Sequence, residues 1–153
     1  MTRRMVIAAL ALAGIFLAFY LTLYKLGAIG QLACSVGQCE TVNLSRWATF
    51  LGLPVAAWGT GFYVVVFAVA FLGTTDRFAE AGWVPAALLG LTGWGVLFSG
   101  WLTYLELFVI RAICMWCVVS AILVTVLFAL SLWEWRAWRA ERTAIAREGT
   151  VAA

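Results

Sequence analysis

Histidine is absent from the 153 residues. With it go imidazole as general base, as haem ligand and as zinc ligand. Any chemistry therefore rests on thiols, hydroxyls, carboxylates or a bound cofactor. Charge is scarce too: 11% of the residues are charged, against 65% hydrophobic. The net charge of +3 comes largely from the ends of the chain and gives no basis for nucleic-acid binding. A soluble domain cannot hide this much apolar surface, at a mean hydropathy of +1.03 with nine Trp. The composition is that of an integral membrane protein.

A spanning helix needs about 20 apolar residues. Four charge-free windows reach that length: Met5–Tyr24, Trp47–Thr75, Ala81–Leu105 and Ala112–Trp133. The expected fold is an all-α, four-transmembrane-helix bundle. The second window is longer than a span needs, so part of it is expected outside the bilayer core. Arg3-Arg4 ahead of the first window resembles an export signal, and Gln31-Leu-Ala-Cys34 loosely resembles a lipoprotein cleavage box. The run is too long for an ordinary signal core and lacks a clear A-x-A site, so it is read as a retained helix.

Orientation follows from the basic residues. With four crossings, Arg3, Arg4, Arg77, Arg136, Arg139, Arg142 and Arg147 share one side, and Lys25, Arg46 and Arg111 the other. The positive-inside rule then puts both termini in the cytoplasm. Trp133, Trp135 and Trp138 look like an interfacial belt. Residues 1–140 form the membrane domain and 141–153 a cytoplasmic tail, frayed over Thr143–Ala153.

All four cysteines fall on the outer side, which is disulfide-permissive in a bacterial inner membrane. Cys114-Met-Trp-Cys117 opens the fourth window. Thiols at i and i+3 share a helix face, the helix N-terminus favours thiolate, and Arg111 can add to that field. By itself this motif fits redox use, zinc binding or chance pairing equally. Cys34 and Cys39 lie in a long first outer loop made flexible by Gly27, Gly30 and Gly37, and can close a small disulfide ring. Beyond it, Ser45 or Asn43 is expected to N-cap a short half-helix whose Trp47, Phe50 and Leu51 face the membrane surface as a lid. Pro54 and Pro85 sit where the first turns of helices two and three are expected.

Gly59, Gly61, Gly90, Gly93, Gly95 and Gly100 are expected to allow close helix approach. Trp58, Phe62, Tyr63, Trp94, Phe98, Trp101 and Tyr104 can line an aromatic cavity, although packing or lipid contact explains any one of them more simply. Glu106 and Arg111 flank a short outer loop and read as interfacial charges.

Taken together, these motifs resemble the vitamin K epoxide reductase family in its bacterial single-domain form. The resemblance runs from helix one through helix four. It is carried by the loop cysteine pair, Ser45-Arg46-Trp47, Gly52-Leu-Pro54-Val-Ala-Ala-Trp58-Gly59, and Tyr104 through Cys117. In the unrelated DsbB-type quinone reductases the CxxC precedes the spaced pair, and here that order is reversed. The resemblance implies a bundle enclosing a quinone (menaquinone or ubiquinone) with the CxxC beside its ring. It implies that Cys34 and Cys39 carry electrons in from a separate, thioredoxin-fold (DsbA-like) periplasmic protein to Cys114 and Cys117. It also implies that Ser45 lies near the quinone head group. The expected activity is thiol–quinone oxidoreduction that supports disulfide formation.

Three other readings compete. A true epoxide reductase would use the same cysteines. A soft-metal membrane protein would gather all four into one site. A structural protein would carry two inert disulfides.

Overall fold

The computed structural model describes residues 2–35 and 37–151. The first helix, α1, spans Thr2–Lys25. A short helix α2 (Cys39–Leu44), a 3-10 turn (Arg46–Ala48) and a small hairpin of β1 (Thr49–Phe50) and β2 (Leu53–Pro54) follow. The second spanning helix, α3, covers Val55–Leu72, and α4 (Asp76–Ala79) caps the turn after it. α5 runs from Trp83 to Tyr104 and passes into a π-helical turn, Leu105–Ile110. α6 extends from Met115 to Val151. Four of these helices are long and apolar enough to cross a membrane, so the chain is a multi-pass, all-α membrane bundle.

The core forms where four helices bring small or branched side chains together. Ile7, Ala8 and Ala11 of α1 meet Tyr63, Val66 and Ala70 of α3, Val84 and Leu88 of α5, and Leu127 of α6. α1 lies so close to α3 that a Cβ on Gly14 would stand 2.4 Å from the Tyr63 ring. This is the small-residue contact expected of membrane helices, but at a position not singled out beforehand. Of the six glycines that were, Gly61, Gly90 and Gly100 have nothing within 4 Å of a Cβ position. Gly90 and Gly100 are exposed and Gly61 borders an open cavity, because the crossing points fall elsewhere along the helices.

The two ends of the bundle are closed differently. At the chain-terminal end Arg4 is buried: its Nε donates to Glu134 at 2.8 Å, and its Nη1 donates to the carbonyls of Gly73 at 2.6 Å and Ala79 at 2.9 Å. One side chain thus joins α1, α6 and the turn after α3. Around it, Arg3, Arg139 and Arg142 lie over the rings of Trp133, Trp135 and Trp138.

Three expectations need correction. The last helix continues through the stretch expected to be frayed, since 37 residues of helix rise about 55 Å and outrun a hydrocarbon core of about 30 Å. Ala152 and Ala153 lie outside the described residues. The short helix between α1 and α3 begins earlier than expected, at Cys39. Ser45 stands between that helix and the 3-10 turn bearing Trp47, at the N-cap position expected of it, but its hydroxyl caps no N–H there and donates back to the Val42 carbonyl at 2.7 Å. Asn43 is interior to α2. Trp47, Phe50 and Leu51 are exposed, as expected, but on the 3-10 turn and the hairpin. The hairpin exists because Leu51 and Gly52 both adopt positive φ and reverse the chain in two residues.

Candidate functional site: two cysteine pairs at one end of the bundle

At the other end, the loop is joined to the CxxC segment by backbone pairing. Gly37 forms an antiparallel bridge with Cys114, and the Gln38 N–H donates to the Ile113 carbonyl at 2.8 Å. Only glycine fits at position 37. Its φ is +96°, and a Cβ there would lie 2.4 Å from the Ile113 oxygen. A second link comes from Trp116, whose indole N–H donates to the Ala33 carbonyl at 2.9 Å. The Ala33 N–H in turn donates to the Tyr20 hydroxyl at 3.0 Å. The loop is therefore docked.

Docking brings the cysteines together. Cys34 and Cys39 are disulfide-bonded, and Cys114 and Cys117 are both thiols. Cys39 and Cys114 belong to one buried cluster with Leu21, Leu32, Val42 and Ala112, and are 1% and 0% exposed. Cys34 is half-buried at its edge. With Cys34 and Cys39 joined, two thiols remain, and no group of three or more metal-ligating side chains gathers among the described residues.

Cys114 sits one residue ahead of α6, so its sulfur faces the free N–H groups of the first turn. Its thiol is held below the ordinary thiol range, chiefly by the Cys117 sulfhydryl that donates to it. The N–H groups of Cys117 and Trp116 add to this, while burial and the Glu106 carboxylate oppose it. The Asn43 amide also reaches the Cys114 sulfur at 3.9 Å while donating to the Cys39 carbonyl at 3.0 Å. Arg111, expected to supply positive field here, points away. It is exposed, with φ of 55°, and turns the chain out of the π-helical segment.

Glu106 occupies the neighbouring place instead. Where an interfacial charge is expected, the structure has a carboxylate only 6% exposed. Its Oε2 accepts the Cys114 N–H at 3.3 Å, and the carboxylate is a second acceptor, alternative to the Cys114 sulfur, within reach of the Cys117 thiol. The cause is the π-helical turn, which adds a residue to the helical repeat and swings Glu106 inward beneath the start of α6. An acidic residue next to a membrane span was the one sequence signal for it. Asn43, read only as a cap, gave no signal of contact with a thiol.

Beside the thiols lies a cavity of about 750 Å³, lined by apolar residues of α1, α3, α5 and the hairpin. Trp58, Phe62, Tyr63, Trp94 and Phe98 line it as expected, whereas Trp101 stacks on Tyr104 and Tyr104 on Phe108, and neither Trp101 nor Tyr104 is among its walls. Cys117 opens into this space, together with Lys25, Ser45, Glu106 and Ser120. Aromatic walls with a few convergent polar groups suit a planar, weakly polar ring such as a quinone. Ser45 lines the cavity, with its hydroxyl proton engaged by the Val42 carbonyl.

A model of the vitamin K epoxide reductase family matches residues 5–132. The chain belongs to this family. The match takes in all four cysteines, the docked loop and the cavity, and ends within α6. Membership makes the protein an oxidoreductase of a quinone-linked membrane family. Both cysteine pairs, and the cavity that Cys117 opens into, lie within the matched residues.

Proposed function

We propose that this family member oxidises the dithiol of a thioredoxin-fold, DsbA-like partner and passes two electrons to a membrane quinone, supporting disulfide formation. Its site lies on the periplasmic face of a bacterial inner membrane, with both termini cytoplasmic. The observation that carries this reading is a division of labour within one motif. Cys114 is buried against the docked Cys39, while Cys117, one helical turn on, faces the apolar cavity. A sulfur chain from the half-buried Cys34 inward therefore ends at the acceptor space. The grouping of basic residues around Trp133 at the opposite end supports the orientation.

The steps are thiolate exchanges. The partner's thiolate attacks Cys34, the more accessible sulfur, and Cys39 leaves. Cys39 then attacks Cys114 of an oxidised Cys114–Cys117 pair, breaking that bond and releasing Cys117. The second partner thiol resolves the bond to Cys34, and Cys34 resolves the bond between Cys39 and Cys114. The outcome is an oxidised partner, a restored Cys34–Cys39 disulfide and a reduced Cys114–Cys117 pair. A bound quinone supplies a two-electron, two-proton sink. Cys117 faces it, Cys114 re-forms the disulfide, and the apolar walls exclude water. Ser45 shapes the cavity wall beside the head group.

The test is anaerobic mixing of proteoliposomes, a reduced thioredoxin-fold protein and a short-chain benzoquinone. Quinol is expected with the natural chain and is abolished by Cys117→Ala. Non-reducing peptide mapping of Cys117→Ala should show a Cys39–Cys114 disulfide accumulating. Cys39 bonded only to Cys34 in that variant overturns the relay.

A further inference from the structure

Oxidising two thiols releases two protons along with two electrons, and this chain has no histidine to receive them. The site has one buried acid. Among the described residues Glu106 is the sole carboxylate in the buried set, and the ion pairs found there, Arg3–Glu134 and Arg4–Glu134, do not include it. A carboxylate placed in apolar surroundings without a cation is costly to keep unless its position serves something else. Both its hydrogen-bond donors belong to the redox motif: the Cys114 N–H and the Cys117 thiol. It also lines the cavity that Cys117 faces.

We propose that Glu106 is the catalytic base of the membrane thiol pair, taking the Cys117 proton and delivering it to the reduced acceptor in the same cavity. This rests on the thiol-to-quinone reading above. In the step, the S–H bond of Cys117 breaks and its proton moves to a Glu106 carboxylate oxygen. The Cys114 and Cys117 thiolates join in a disulfide, and the two electrons they give up in doing so pass to the quinone. Glu106 then releases the proton to a quinone oxygen and returns to carboxylate. The second proton enters from water at the cavity mouth, matching the one Cys114 gave up when it ionised.

The geometry gives the Cys117 proton two possible acceptors, the Cys114 sulfur and the Glu106 carboxylate. Transfer to Cys114 would quench the sulfur that has to re-form the disulfide. Transfer to Glu106 leaves both sulfurs reactive and neutralises a buried charge at the same moment. The other titratable groups nearby are committed elsewhere. Lys25 of α1 donates to the Asn43 carbonyl, Tyr63 of α3 bonds Ser120, Cys39 of α2 is in a disulfide, and Arg111 is exposed.

The test compares the full chain with Glu106→Gln in proteoliposomes. Glutamine still accepts the Cys114 N–H but cannot take a proton. First, the Cys114–Cys117 pair is cycled by a chemical thiol oxidant with no quinone present, and the infrared difference spectrum is recorded. The natural chain should show a carboxyl C=O band that changes with redox state, and Glu106→Gln should lack it. Second, quinol formation from a short-chain benzoquinone should fall about 10²–10⁴-fold in Glu106→Gln, the usual range for losing a general base. The residual rate should rise with pH as hydroxide substitutes. Exchange of partner dithiol with Cys34–Cys39 should be unchanged, which shows that the variant is folded. If that exchange is lost, Glu106→Asp takes its place, with the band retained and the rate partly restored. An absent band in the natural chain, or a Glu106→Gln rate within about threefold of it with the same pH profile, overturns the proposal. If the natural chain itself makes no quinol, the thiol-to-quinone reading fails instead, and the infrared band still reports on Glu106 separately.

Discussion

Among the described residues each end of this bundle buries one charged side chain, and the two are treated in opposite ways. Arg4 is surrounded by acceptors: a carboxylate and two carbonyls from three separate segments. Glu106 has only donors, both of them groups of the CxxC motif. A compensated charge of the first kind joins elements together. An uncompensated one pointed at reacting sulfurs is placed for proton movement. The comparison teaches that burial of a charge in a membrane protein is informative only together with its partners.

The widest separation between the ends should come from removing one residue from each. Cys114→Ala is expected to abolish quinol formation and to trap no mixed disulfide with Cys39, as read by non-reducing peptide mapping. Arg4→Ala should leave turnover per folded molecule intact while lowering stability by about 3–5 kcal/mol, the cost of stripping the partner from a buried ion pair. Denaturant unfolding in detergent measures this, and equal stability would mean that the arginine cluster does not hold that end together.

Smaller changes sharpen the cysteine end. Gly37→Ala puts a Cβ against the Ile113 oxygen and should slow Cys39–Cys114 exchange about tenfold or more, while pre-reduced Cys114–Cys117 passes electrons onward at an unchanged rate. Stopped-flow with a reduced partner separates the two phases. In Cys117→Ala the fraction of Cys114 not held in the mixed disulfide with Cys39 loses its main stabilising donor, and that thiol should move up toward the ordinary thiol range. Its alkylation at neutral pH should therefore slow, because less of it is thiolate, and its pH profile should shift to higher pH. The mildest expected change is Ser45→Ala. Losing the bond to Val42 should cost about 1 kcal/mol of stability and leave the rate at saturating quinone nearly unchanged.

The spans were legible because a charge-free window has one physical use in a membrane, and the cysteine pairs because thiols at these spacings have few uses. The hairpin was not, since two-residue strands leave no alternating pattern and only Gly52 marked the turn. Ser45 stands at a boundary between two short helices, and nothing in the sequence shows that its hydroxyl turns back to close α2 rather than forward to cap the next turn. Glu106 was misread for a deeper reason. Its inward direction depends on one residue of π-helical register, which no composition or periodicity records.

The docking of the loop has a consequence for fidelity in a crowded compartment. Of the two loop cysteines only Cys34 is partly exposed, while Cys39 and Cys114 stay sealed behind Gly37 and Trp116, and Cys117 opens into the apolar cavity. On the proposed route the loop side is insulated like a wire with one bare terminal, which favours a protein able to engage Cys34 over a stray soluble thiol.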